Sequence, residues 1–395
     1  MTKRRVGRYV QFLPADVLLP TTYTPAERRL LTGTSLEAAV AAKLRALAAE
    51  FEVMAAAAAM PWLEVEDWIR ADALYRSRNL ALPGHGHALV PMLDFANHAR
   101  PANACFGVTD DGEAILSLRP SSALARLDLQ GGQEVTIDYS GSEEPKGAAE
   151  MVFSYGFLPD SLATAREMVL PLPSPFPVPP GDDDDYDPLA KAKQAVFGNA
   201  PRTVRIFETH HAAAAAAGEG EGEDGGPEGS LQWESPYAFL SVVNAEDGLS
   251  FRVLHTGGGE RTLQADFRGQ PLPPHSMREV LLEAEAGAEG AGMWEVFLLR
   301  VVVLLRNTVE RHLRRLLVAK DELEFEGGEG GQGGEGGEEY RPQPLAVIMR
   351  LRELEEAMLL RAVGMFAKQV FFYPFLVFLV GVKRLMVDIT ARTAA

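Results

Sequence analysis

Apolar positions recur at helical spacing through Leu36–Ala59, where alanines alternate with Leu, Val and Phe, and the pattern predicts one long helix or two short ones. Just before it, Thr24 followed by Pro25-Ala26-Glu27 predicts a helix start, with Thr24 as N-cap and proline in the first turn. A third helical pattern covers Val65–Leu80, with Trp68, Ile69, Ala73 and Leu74 on one face, and Pro83-Gly84 breaks it. The texture then changes. Short apolar runs between turns, at Ala88–Leu93, Ala114–Leu118 and Glu134–Ile137, predict strands. Pro171–Pro188 is rich in Pro and Asp and reads as a connection between domains. Beyond it, Leu189–Phe197, Met277–Ala286, Met293–Leu317 and Leu345–Val363 are helical by pattern. In the third of these, Leu298, Val302, Leu305, Val309, Leu313 and Leu316 form one apolar stripe. The expected class is therefore α+β, with short strands in the first half and a mainly helical domain after them.

Two Gly/Glu tracts, Gly218–Gly229 and Gly327–Glu339, interrupt the second half and are expected to be disordered insertions, spanning 212–230 and 325–339 with their flanks. They also explain the charge. The chain of 395 residues carries a net charge of -17, but eighteen acids lie in Asp182–Asp187, Gly218–Gly229 and Asp321–Glu339, which contain no Lys or Arg. Without them the balance is +1, so the acidity belongs to loops, and no basic stripe points to nucleic acid. The single cysteine, Cys105, excludes an intrachain disulfide framework and fits an intracellular, reducing compartment. No secretory pattern follows the basic start Met1–Arg8. The apolar tail 364–395 holds the run Val370–Val382, too short for a comfortable membrane span and interrupted by Pro374 and Gly381.

The chemistry gathers in the strand region. Leu89-Val90-Pro91-Met92-Leu93 runs into Asp94-Phe95-Ala96-Asn97-His98, and Gly132-Gln133-Glu134-Val135 opens a strand that ends in Ile137-Asp138-Tyr139. Ser154-Tyr155-Gly156-Phe157 follows. Taken singly, Asn97-His98 is a turn with a satisfied histidine, Tyr139 a core-edge aromatic, and Arg78 a cation at a helix C-terminus. His85, His87, His98 and Cys105 match no standard zinc spacing, and no metal is expected. The Asp182–Asp185 run lacks the spaced ligands of a calcium loop.

Together, in this order, the motifs resemble those of the SET-domain protein methyltransferases, specifically the Rubisco large-subunit lysine methyltransferase branch. The resemblance implies a SET domain of short, mostly antiparallel strands over 1–170, with a helical insert at 8–75 and the C-terminal SET motifs at 76–160. A linker over 171–188 and a helical substrate-binding domain over 189–363 would follow. Tyr9, Leu13-Pro14 and Leu30-Leu31-x-Gly33-Thr34 resemble the insert, and Arg352-x-x-Glu355-x-x-Met358-Leu359 the end of the second domain. It also implies roles. Tyr139 is similar to the catalytic tyrosine. Arg78, Asn97, His98 and Tyr155 would bind the cofactor S-adenosylmethionine, and Asp94 and Phe157 the substrate. The partner would be a protein presenting a target lysine to a monomeric enzyme, with neither nucleic acid nor membrane involved. Methyl transfer requires nucleophile, methyl and sulfur on one line in a dry site, positioning that is worth roughly 7 to 11 kcal/mol. Lysine, with a free pKa of about 10.4, must also lose a proton, which an aromatic-walled channel favours.

Some positions depart from the family pattern. Ala99 follows the Asn-His pair, Ser140 follows the tyrosine, and Gly147-Ala148-Ala149 stands before Tyr-Gly-Phe where the family carries an asparagine. The family's Gly-x-Gly cofactor turn is not found, so the first SET strands are expected to be missing. A histidine methyltransferase of the same fold, or a non-catalytic protein-binding module, are the alternative expectations.

Overall fold

The computed structural model describes residues 9–58, 62–119, 131–139, 146–173, 189–197, 202–209, 230–255, 261–272, 277–285, 293–329 and 340–393. Most of the 171–188 linker, both Gly/Glu tracts apart from their edges, and the Asp182–Asp185 run lie outside the described residues. The chain divides into two units, one of Met1–Arg166 with Ala319–Glu355, the other of Glu167–Val318 with Glu356–Ala395. The first unit therefore draws on a stretch that chain order alone assigns to the helical half.

The first unit opens with helices α1 (Pro25–Arg29), α2 (Leu36–Ala58) and α3 (Val65–Arg78). The expected N-cap is present: the Thr24 hydroxyl accepts from the Glu27 N–H at 3.2 Å, and the Glu27 carboxylate accepts from the Thr24 N–H at 2.9 Å. This reciprocal box satisfies two of the donors that every helix start leaves open. Glu27 is buried and also receives Arg341, with Nε at 2.7 Å and Nη2 at 2.5 Å. That pairing holds its carboxyl down at about 2. Further along the same stretch, Arg352 Nη1 donates to the carbonyls of Leu30 at 2.9 Å and Thr32 at 2.7 Å, while the buried Glu355 carboxylate accepts from the N–H and hydroxyl of Ser35. Residues 341–355 are thus tied to residues 27–35 by polar groups, around an apolar core that includes Leu30, Leu31, Leu36, Val40 and Leu47.

The strand part consists of three two-stranded pairs. β1 (Leu80–Leu82) and β2 (Gly86–Ala88) form an antiparallel hairpin, as do β4 (Ala104–Val108) and β5 (Ala114–Leu118). Between them, β3 (Asn97–His98) runs parallel to β6 (Thr136–Ile137). Leu80, Leu82, Ala96, Ala104 and Ile137 bury together beneath these pairs. Helix α4 (Ala148–Tyr155) closes the unit. The run Ala88–Leu93 is not a strand beyond Ala88. Pro91 has no N–H to give a ladder, and Met92 takes φ 78 to lead into a single 3-10 turn at Leu93–Phe95.

The second unit has two antiparallel three-stranded sheets that the apolar pattern did not single out. One joins β7 (Glu167–Pro171), β8 (Thr203–Thr209) and β9 (Ser230–Glu234), and the other β10 (Leu249–His255), β11 (Arg261–Phe267) and β12 (Gln270–Pro271). Helices α5 (Ala190–Phe197), α6 (Pro236–Val242) and α7 (Met277–Glu285) accompany them. Two long helices end the chain, α8 (Met293–Glu329) and α9 (Pro342–Thr393). Val302, Leu305, Val309 and Leu316 of the expected stripe are buried, joined by Phe297 and Val301. Among the described residues no helix is long and apolar enough to cross a membrane.

Candidate active site

Four short elements of the first unit converge. Helix α3 ends at Arg78, and Asn79 finishes it by donating from Nδ2 to the carbonyls of Tyr75 at 3.0 Å and Arg76 at 3.1 Å. From that end Arg78 Nη1 donates to the Asp94 carbonyl at 3.1 Å and reaches Asp94 Oδ2 at 3.5 Å, with the guanidinium 5.6 Å from the Phe95 ring centre. Arg78 is therefore more than a cation stabilising a helix end: it braces the 3-10 turn. Asp94 has a side chain with 0% exposure. Its Oδ2 also accepts the Tyr9 hydroxyl at 2.5 Å, while its Oδ1 is buried without a hydrogen-bond partner. Burial and the neighbouring Asp94 carboxylate push the Tyr9 hydroxyl well above its usual range.

The parallel β3–β6 pair sets the next residues. Two residues per strand give few ladder bonds, and side chains supply the rest. Asn103 accepts from the Thr136 N–H at 2.8 Å and donates to the Glu134 carbonyl at 2.8 Å. Asn97 Nδ2 donates to Glu134 Oε1 at 2.6 Å. Register places His98 opposite Ile137 and so beside Tyr139.

Helix α4 delivers the fourth element, after the α3 end, the 3-10 turn and the β3–β6 pair. It stops at Gly156, which adopts φ 76 and donates its N–H to the Val152 carbonyl at 3.0 Å. A Cβ there would overlap the Leu18 carbonyl oxygen, so Tyr-Gly-Phe requires its glycine on two grounds. The left-handed turn sets Tyr155 and Phe157 on one aromatic cluster. Tyr139 lies 4.7 Å from Tyr155, 5.3 Å from His98 and 6.3 Å from Phe157, ring centre to ring centre. The Tyr139 hydroxyl donates to the Ala96 carbonyl at 2.9 Å, and the Tyr155 hydroxyl reaches the Tyr139 carbonyl at 3.4 Å. Burial raises the Tyr139 hydroxyl above its ordinary value and Tyr155 to about 12, and it lowers the His98 imidazole.

Two cavities flank this cluster. The first, about 370 Å³, is lined by Arg78, Asp94, Asn97, Tyr139, Tyr155 and Phe157, together with Asp16, Ser77 and Gln343. The second, about 590 Å³, shares Ser77, Arg78, Asp94, Tyr139 and Tyr155 and adds mostly apolar walls such as Leu80, Phe106 and Ile137. Six of the seven residues singled out in the sequence thus line the first cavity. His98 lines neither cavity and packs behind Tyr139 instead. Sequence reasoning named Tyr9 only within the insert resemblance, without a role at the site, and missed Gln343, which carries no local signal. Among the described residues no group of three or more His, Cys, Asp or Glu is placed to hold a metal ion.

No protein-family model matches the chain. SET domain-containing protein 8 of Schizosaccharomyces pombe (strain 972 / ATCC 24843) is 28% identical over 270 residues, covering 67% of this chain and 54% of the relative. The chain thus spans about half the length of the curated relative it matches. Among solved structures, the SET domain of LSMT bound to methyllysine and AdoHcy is similar with a TM-score of 0.52 at 16% identity, covering 94% of this chain and 73% of that one. The same domain bound to lysine and AdoHcy gives a TM-score of 0.52 at 15% identity, over 94% and 73% of the two chains. Motif order and curated relative both point to SET-domain proteins, and the fold is similar to that of the SET domain of LSMT.

Proposed function

We propose that the chain is an S-adenosylmethionine-dependent protein-lysine N-methyltransferase. The observation that carries the reading is the pair of cavities with Tyr139, Tyr155, Asp94 and Arg78 in the lining of both. A transferase for two substrates needs a donor site and an acceptor site that meet at one set of groups. The first cavity, at about 370 Å³, falls in the usual size range for a cofactor site. Its lining offers a cofactor that carries a carboxylate, an ammonium and a cationic sulfonium centre the Arg78 guanidinium, the Asp16 carboxylate and the Asn97 amide. On these grounds the residues fit S-adenosylmethionine, which when bound would supply the methyl group.

The chain's own residues do the rest. Arg78, Asp94, Asn97 and Tyr155 would hold the cofactor, with Asp94 and Phe157 toward the substrate. The aromatic walls exclude water and disfavour an ammonium, so an entering lysine loses its proton more readily than in water. Tyr139 remains an O–H at every working pH, because burial raises it, and can orient an amine with that one polar atom.

The test is to incubate the chain with methyl-labelled S-adenosylmethionine and a protein extract, then to identify modified residues by mass spectrometry. Methyl-lysine is expected. Methyl-histidine would replace the lysine assignment, and absence of both labelling and calorimetric cofactor binding would refute the enzyme reading.

A further inference from the structure

His98 stands in the motif that the resemblance assigns to the cofactor, but its ring makes other contacts. Its side chain is 5% exposed and lines neither cavity. Its ring lies 5.3 Å from Tyr139 and 5.9 Å from Phe157. Its Nδ1 accepts a hydrogen bond from the backbone N–H of Tyr139 at 3.1 Å. Tyr139 lies two residues past Ile137, where the β3–β6 pairing ends, so among the described residues that N–H has no strand partner. A buried N–H without an acceptor costs about 1–3 kcal/mol, and its backbone would be free to shift.

We propose that His98 is a positioning residue for Tyr139: its Nδ1 takes over where the strand ladder stops and fixes the backbone from which the Tyr139 hydroxyl reaches the Ala96 carbonyl. The part that concerns turnover rests on the methyltransferase reading, whereas the hydrogen bond itself does not.

The chemistry of the imidazole suits the task. An accepting Nδ1 places the ring proton on Nε2, and burial favours this neutral form. Asp138 Oδ1 stands 3.8 Å from Nδ1, beyond hydrogen-bond reach, and its other oxygen pairs with Arg100 Nε at 2.8 Å. The Asp138 charge and the Ile137 carbonyl favour a protonated ring, but burial outweighs both.

Two substitutions separate positioning from cofactor contact. His98→Asn keeps an acceptor oxygen near the Nδ1 position, whereas His98→Leu keeps bulk and removes it. The first readout is the amide spectrum of tyrosine-labelled protein, with the Tyr139 peak identified by its loss in Tyr139→Phe. The Tyr139 amide should exchange up to about tenfold faster in the Leu variant and stay protected in the Asn variant. The second is calorimetric titration with S-adenosylhomocysteine, whose affinity should stay within about twofold in both variants. Turnover, read by label transfer, should fall up to about tenfold in the Leu variant and recover in the Asn variant. The third is the imidazole nitrogen spectrum of the unaltered protein, which should give an Nε2–H tautomer and is decisive even if the Leu variant does not fold. A protonated Nδ1, an unchanged Tyr139 amide in the Leu variant, or equal loss of S-adenosylhomocysteine affinity in both variants would overturn the proposal. If the unaltered protein takes up no S-adenosylhomocysteine and transfers no methyl, the enzyme reading falls, while the amide and imidazole spectra still decide the role of His98.

Discussion

Glu355 gives the sharpest prediction of stability against pH. Its carboxylate is fully buried, accepts from the N–H of Ser35 at 3.0 Å and from the Ser35 hydroxyl, and has Arg352 nearby. Loss of solvation outweighs these favourable partners and raises its carboxyl from 4.5 to about 7. The folded state therefore holds a proton between those values that the unfolded chain has released. Stability from this group is full below the unfolded pKa of 4.5 and is lost as pH rises through about 7. A tenfold change in proton affinity is worth about 1.4 kcal/mol, so the change across the window is on the order of 3 kcal/mol. Glu355→Gln removes the titration while its amide oxygen still accepts from Ser35. Urea unfolding at pH 5 should give nearly equal stabilities for the two proteins. At pH 8 the Gln variant should be the more stable by up to about 3 kcal/mol. The difference between the two curves isolates Glu355 from Glu27, which titrates near 2 and acts at lower pH. Curves that stay parallel from pH 5 to pH 8 would refute the argument.

Other substitutions probe the site itself. Tyr9→Phe leaves Asp94 Oδ2 with Arg78 alone and should destabilise the protein by about 1–3 kcal/mol, read by urea unfolding. On the proposed methyltransferase reading, Tyr139→Phe should lower methyl transfer much more than it lowers calorimetric affinity for S-adenosylmethionine, because the hydroxyl would act on the acceptor. Gly156→Ala forces a Cβ onto the Leu18 carbonyl at a left-handed backbone position, so it should cost more than about 1 kcal/mol in a thermal or urea melt.

Local grammar was legible in the sequence. Thr24 with Pro25 and Glu27 announces its capping box, and Tyr-Gly-Phe announces a helix end that turns two aromatics together. The order of Asn97-His98, Tyr139 and Tyr155 suggests a shared site, and Asn97, Tyr139 and Tyr155 line the first cavity. What was not legible depends on partners far away in sequence. Nothing near Glu27, Leu30 or Ser35 tells that Arg341, Arg352 and Glu355 will meet them, over separations of 314, 322 and 320 residues. Strands were misread where side chains, not ladders, hold the chain. Thr136–Ile137 lies within the expected strand Glu134–Ile137, but its two-residue partner Asn97–His98 is too short to show any period. In β8, by contrast, Val204 and Ile206 alternate with Arg205 and Phe207 as a half-buried strand does, but charged neighbours and the helical texture around them masked the signal.

The ties between residues 27–35 and 341–355 also impose an order in time. During synthesis the first unit cannot complete its fold when residue 166 emerges, because Arg341, Arg352 and Glu355 do not yet exist. At about 5–20 residues per second, the gap between residues 166 and 355 lasts roughly 10 to 40 s. Throughout that interval the carboxylate of Glu27 and the carbonyls of Leu30 and Thr32 lack their guanidinium partners, and most of the second unit is threaded out before the first is closed. The nascent chain therefore passes through a long-lived, half-assembled stage in which a chaperone or a premature stop codon would act on an open first unit rather than a finished one.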